Sequence, residues 1–75
     1  MGDRGTPRLT ADQVISILRR NGFALAGSVG SHQKWRNVST AKQVIVPYHR
    51  GRILPLGTMK AIIEGSGMDP ANWIK

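Results

Sequence analysis

The residues best suited to chemistry in this sequence are two histidines, each set among cations. His32 precedes Gln33-Lys34-Trp35-Arg36, and His49 lies within Tyr48-His49-Arg50-Gly51-Arg52. Imidazole is the side-chain type that moves protons near neutral pH, while Lys and Arg stabilise phosphate charge. Those two abilities suffice for cleavage of RNA, whose own 2′-hydroxyl supplies the nucleophile and leaves the protein only proton transfer and charge stabilisation. DNA offers no such hydroxyl. Side chains alternate along a strand, so a strand that includes His32 puts His32, Lys34 and Arg36 on one face and Trp35 on the other. With Trp35 buried as the anchor, the basic face is open to phosphates. The plainer alternative is a surface histidine beside a turn. The second cluster also has two readings: a loop that stacks on bases and contacts phosphates, or a solvated basic loop with Tyr48 folded back on the core. On the first reading, Lys34, Arg36, Tyr48, His49, Arg50 and Arg52 bind substrate.

Other chemistries find little support. The chain has four acids, and each has a structural use: Asp12 in the first turn of a helix, Asp69 as a cap before Pro70, Asp3 in the N-terminal tail, and Glu64 alone late in a second helix. A cluster of metal-ligating carboxylates is not expected, nor is any cofactor. The absence of Cys removes thiolate catalysis and cysteine-based metal sites, and it fits a reducing cytoplasm. Gly27 and Gly30 lead into Ser31, His32 and a strand, whereas a phosphate-cradling loop leads into a helix. Ser31 and His32 are adjacent in a strand and face opposite ways, which argues against a serine–histidine dyad.

Eleven Lys and Arg against four Asp and Glu give a net charge of +7, which points to a polyanionic partner: RNA, DNA or an acidic protein. The 75 residues suit one domain, and a chain of this size buries only about 60% of its unfolded surface, so its own core leaves a thin margin of stability. No apolar run nears the roughly 18 residues of a membrane span, and Met1 to Arg8 lacks a signal peptide's apolar stretch. A cytoplasmic protein without membrane attachment is the expectation, with residues 1–8 as a flexible tail and residues 9–75 as the single domain.

The elements that must position the histidines follow from capping and periodicity. Thr10 and Gln13 have capping-box spacing, Leu9 and Val14 form a hydrophobic staple, and Val14, Ile15, Ile17 and Leu18 recur at helical spacing until Asn21-Gly22, which predicts a helix over residues 11–20. Phe23 to Ala26 and Gln33 to Asn37 read as strands joined by a flexible connection containing Gly27, Ser28, Gly30 and Ser31. After a turn over Asn37 to Ala41, Lys42 to Val46 forms a third strand that Pro47 ends, since Pro has no N–H to donate. Tyr48 to Leu56 reads as a loop. Thr58 is placed to cap a second helix with Met59, Ile62 and Ile63 on one face and Gly65 or Gly67 at its end. Asp69-Pro70 opens a short terminal turn through Trp73 and Ile74, with Met68 and Trp73 completing the core. The result is an α+β domain of two layers, α-β-β-β-α: a three-stranded antiparallel sheet with two helices on one face and the other face open.

Three motifs in order, Gly30-Ser31-His32-Gln33-Lys34-Trp35, Val46-Pro47-Tyr48-His49-Arg50-Gly51 and Gly57-Thr58-Met59-Lys60-Ala61-Ile62 followed by Gly67, resemble the HicA family of toxins from bacterial and archaeal toxin–antitoxin pairs. The resemblance spans residues 9 to 69. It implies a double-stranded-RNA-binding-domain-like fold and a ribosome-independent endoribonuclease that cleaves mRNA. It also implies neutralisation by a HicB-like antitoxin, and the +7 charge leads to the expectation that this partner covers His32 with some of Lys34, Arg36, Arg50 and Arg52 in a hetero-oligomer. His32 matches the family's catalytic histidine, Gly30 and Ser31 its preceding pair, Trp35 its packing aromatic, Gly57 and Thr58 its helix-opening motif, and His49 its histidine after the strand-ending proline. The sequence departs from the family pattern at Ile53, where an acid is frequent, and at Pro55-Leu56. A non-catalytic RNA-binding module on the same basic surface is the second hypothesis, against which the Gly-Ser-His setting favours the enzyme. A DNA-binding adaptor is weaker, as no helix is densely basic enough to read a major groove.

Overall fold

The structure, a computed structural model, describes residues 5–74, so the expectations for Met1–Arg4 and Lys75, including most of the tail and Asp3, lie outside the described residues. The first helix, α1, spans Ala11–Arg20 and starts as its capping box dictates: the Thr10 hydroxyl accepts the Gln13 N–H at 3.2 Å, and the Gln13 side chain accepts the Thr10 N–H at 2.9 Å. Leu9 packs on the core beside buried Val14. Ala11, Val14, Ile17 and Leu18 form the buried face, and the helix closes with the Asn21 N–H donating to the Leu18 carbonyl and the Gly22 N–H to that of Arg19. Gly22, at φ 91°, then takes the left-handed turn that only glycine adopts readily and sends the chain into the sheet.

Three antiparallel strands follow in the order β1-β2-β3: β1 over Phe23–Val29, β2 over His32–Asn37 and β3 over Lys42–Pro47. Here the structure corrects one expectation. Gly27 and Ser28 belong to β1, and the connection is only the two-residue turn Gly30-Ser31 between the paired Val29 and His32. Gly30, at φ 57°, supplies the left-handed first position that a type II′ hairpin turn requires. The register shifts between Leu25 and Gly27, leaving Ala26 in a bulge. That bulge breaks the two-residue period where the sequence pattern ran out. Pro47 pairs with His32 as the last residue of β3, and the next N–H, that of Tyr48, donates to the Ser31 carbonyl at 2.7 Å.

Both helices cover one sheet face. The core joins Val14, Ile17 and Leu18 of α1 to Phe23, Trp35, Val44 and Val46 of the sheet and to Leu54, Met59, Ile62 and Trp73. Asn37 ties three elements together: its side-chain amide donates to the Asn21 carbonyl at 3.0 Å, and its oxygen accepts the N–H groups of Ser39 and Thr40 in the β2–β3 turn. The segment from Tyr48 to Pro55 is anchored at both ends. Leu54 is buried and donates its N–H to Leu9, and Ile53 bridges Thr10. The Tyr48 ring packs on the core, and its hydroxyl donates to the Asp12 carboxylate at 3.0 and 3.2 Å.

The second helix, α2, spans Leu56–Ser66, and its cap is a second correction: Pro55, not Thr58, is the N-cap residue, and no side chain caps the helix. With Leu54 pinned, Pro55 sets the φ that caps the helix three residues before Thr58, which leaves Thr58 inside the first turn. Gly67, at φ 68°, ends the helix as expected. A 3₁₀ turn, Pro70–Trp73, closes the chain with Asp69 accepting the Ala71 N–H at 2.9 Å, and it brings Trp73 into the core. Gly5, Thr6 and Pro7 line a depression with Lys60, Ile63, Glu64, Pro70 and Ile74.

Two expectations follow for stability and titration. Trp35→Ala lowers the unfolding free energy in a denaturant titration by about 3–5 kcal/mol, through lost burial and the cavity left behind. Thr10→Ala, which removes the cap alone, lowers it by about 0.5–2 kcal/mol. Tyr48, the chain's single tyrosine, titrates above the ordinary value near 10 because its hydroxyl donates to the Asp12 carboxylate. The fold therefore favours the neutral phenol, and this contribution to stability is complete below the unfolded-state value and is lost as pH rises through the folded one. In an absorbance titration Asp12→Asn brings the midpoint back toward the ordinary value.

Candidate functional site

On β2 the two-residue period separates the side chains cleanly. Trp35 and Asn37 are buried and Gln33 is half-buried on the helix-covered face, where the Trp35 indole N–H donates to the Gln33 side-chain Oε1 at 3.0 Å. His32, Lys34 and Arg36 are exposed on the opposite face. Their cross-strand neighbours are Val29, Gly27 and Ala24 of β1 and Pro47, Ile45 and Gln43 of β3, none of them charged. These cross-strand neighbours put no neutralising charge beside the three basic groups.

His32 also lines a depression of about 410 Å³ in which Ile45 and Pro47 of β3 meet Gly57, Thr58, Ala61 and Ile62 of α2. A neighbouring depression of about 250 Å³ is lined by Pro47, His49, Arg52, Ile53, Leu54, Pro55 and Thr58. Pro47 and Thr58 belong to both, so they form the wall between His32 on one side and His49 with Arg52 on the other. Among the described residues no acid lines either depression. The first turn of α2 faces this region without a side-chain cap, and the N–H groups and positive dipole end of a helix favour an anion there. The local field is therefore positive from three sources: the β2 cations, Arg52 and the end of α2.

The structure thus brings together most, but not all, of the residues singled out above. Lys34 and Arg36 share the open face with His32; His49 and Arg52 line the neighbouring depression, which has Pro47 and Thr58 in common with that of His32; Arg50 is exposed on the loop and lines neither depression. Tyr48 takes the second of its two readings, with its ring on the core and its hydroxyl on Asp12, on the α1 side of the sheet. Of the motif residues, Gly30 makes the turn, Ser31 accepts the Tyr48 N–H, Trp35 anchors β2, and Gly57 and Thr58 line the His32 depression. Pro47 as shared wall, with Ile45 and Ala61 beside it, was not legible locally, because the approach of α2 to β3 is a tertiary contact. Among the described residues no group of three or more His, Asp or Glu converges as metal ligands would, and no helix is long and apolar enough to cross a membrane.

A comparison with curated proteins found no relative of this chain. A family model described as the HicA toxin of bacterial toxin–antitoxin systems matches residues 11–68, which takes in α1, the whole sheet, the basic loop and α2. That match covers more than half of the chain and every residue placed around His32. The chain belongs to the HicA family of toxins, whose partner is an antitoxin.

Proposed function

We propose that this toxin is an endoribonuclease that cleaves mRNA in the cytoplasm without a metal ion, with His32 as its proton-transfer residue. The observation that carries the reading is the position of His32: on an exposed basic strand face and at the rim of an acid-free depression that the uncapped end of α2 also lines. A phosphodiester seated there meets cations and helix N–H groups where negative charge builds up. In the reaction the substrate's 2′-oxygen attacks the adjacent phosphorus, and the bond from phosphorus to the 5′-oxygen breaks. The proton of the 2′-hydroxyl passes to a base, and the departing 5′-oxygen takes a proton from an acid. His32 performs one of these transfers, and His49, across the wall of Pro47 and Thr58, is of the residue type to perform the other. Lys34, Arg36 and Arg52 hold flanking phosphates, and Arg50 extends the same positive field.

Among the described residues the acids stand apart from His32, which supports the metal-free reading: Asp12 accepts from the Tyr48 hydroxyl, Asp69 caps the terminal turn, and Glu64 lines the depression beside residues 5–7. The inhibitor on this reading is an acidic, HicB-like antitoxin that covers His32 with some of Lys34, Arg36, Arg50 and Arg52, drawn in by the +7 charge. His32→Ala abolishes RNA cleavage in a gel assay while circular dichroism and most RNA affinity are retained, and EDTA leaves the wild-type rate unchanged. A fully active His32→Ala protein removes the assignment, and EDTA inhibition reversed by magnesium removes the metal-free mechanism.

A further inference from the structure

We propose that the free edge of β1 is the docking strand for the antitoxin, taking an extended segment that carries carboxylates and at least one apolar side chain. The inference rests on the antitoxin partner that family membership brings and is independent of the ribonuclease reading.

The sheet treats its two edges differently. The β3 edge has Lys42 at one end, Pro47 at the other and α2 packed beside it, all devices that discourage another strand from pairing. β1 has α1 against it less extensively than β3 has α2, and it has neither the lysine nor the proline. It pairs with β2 alone, it is the longest strand of the three at seven residues, and Phe-Ala-Leu-Ala-Gly-Ser-Val contains neither a charge nor a proline. Only the bulge at Ala26 interrupts it. An unpaired edge of this kind presents a row of N–H and C=O groups that a partner strand satisfies.

The side chains specify the partner. Leu25 is 52% exposed on the helix-covered side and Val29 is 79% exposed on the open side, so both flanks of β1 present an apolar group. With no charge of its own, β1 has nothing to hold a phosphate, which favours a protein over a nucleic acid. The charges lie on either side of it. On the helix side, Leu25 opens into a depression of about 510 Å³ that it shares with Ile15, Trp35, Arg19 and Arg20, and the one acid there, Asp12, is engaged by Tyr48. On the open side, the small residues Ala24 and Gly27 stand opposite Arg36 and Lys34 and leave those cations uncovered. A strand laid along β1 sends alternate side chains to the two flanks, where carboxylates meet Arg20 or Lys34 and an apolar residue meets Leu25 or Val29. Because Val29 pairs with His32, a partner anchored on β1 also reaches the end of the sheet at which His32 begins β2.

The test uses the full-length toxin and its purified cognate antitoxin. Hydrogen exchange on the free toxin should show fast outward-facing amides across Phe23–Val29, and these amides should slow on complex formation. Leu25→Lys, which places a gatekeeping charge on the edge, should raise the antitoxin Kd by about tenfold or more while changing the RNA cleavage rate by less than about twofold. A complex in which β1 exchange is unchanged overturns the proposal, as does concentration-dependent protection of β1 in the toxin alone, which would make a second copy the occupant. If Leu25→Lys does not fold, exchange on the wild-type complex decides. Loss of the ribonuclease reading would show instead as uncleaved RNA with the β1 protection intact.

Discussion

The burial of Trp35 fixes the orientation of β2, and through the two-residue period of a strand it fixes the direction of every other side chain there. Trp35 is 2% exposed, its indole N–H is satisfied within its own face by Gln33, and Asn37 two residues on is held by α1 and the following turn. A slip of one residue would turn this set outward and force His32, Lys34 and Arg36 into the core, where unpaired charges cost several kcal/mol each. The basic face is the reverse side of a packing decision. The same register carries Ile45 and Pro47 of β3 to positions beside His32, and so brings α2 to the site.

The signals that could be read from the sequence were those written in adjacent residues. The capping box at Thr10, the glycine stop after α1, the β-branched run of β3 and the alternation around Trp35 each depend on neighbours within four positions, and each held. The extension of β1 through Gly27 and Ser28 had no such signature, because a bulge at Ala26 destroys the pattern and two small residues contribute little burial. Thr58 looked like a cap since threonine before an apolar helical run usually is one. Pinning of Leu54 by Leu9, a contact across more than forty residues, goes with a cap at Pro55 and a helix that starts at Leu56. Tyr48 was balanced between two environments until the fold set Asp12 against its hydroxyl. At the candidate site, His32, Lys34 and Arg36 are legible from alternation, whereas the wall of Pro47 and Thr58 shared by the depression of His32 and that of His49 and Arg52 arises only when α2 packs on β3.

Charge and size act together in this domain. The acids among the described residues hold a hydroxyl, cap a turn or lie beside residues 5–7, so none of them offsets the cations of the open face. The domain keeps exposed apolar groups, Leu25 and Val29 on β1 and Ile45 beside His32, because a chain this short cannot enclose them all. A partner that covers those groups adds burial the free chain lacks, which couples inhibition of the toxin to its stability.

The central claim is that the substrate's own 2′-hydroxyl is the nucleophile and His32 serves the proton transfer. It is tested most directly by the chemical identity of the ends left on a defined RNA after a short incubation with purified toxin. Attack by the 2′-oxygen leaves a 2′,3′-cyclic phosphate on one fragment and a 5′-hydroxyl on the other, and the account predicts these ends with wild-type protein and no cleavage with His32→Ala. Fragments carrying a 3′-hydroxyl and a 5′-phosphate would mean that water was the attacking group, and would contradict it.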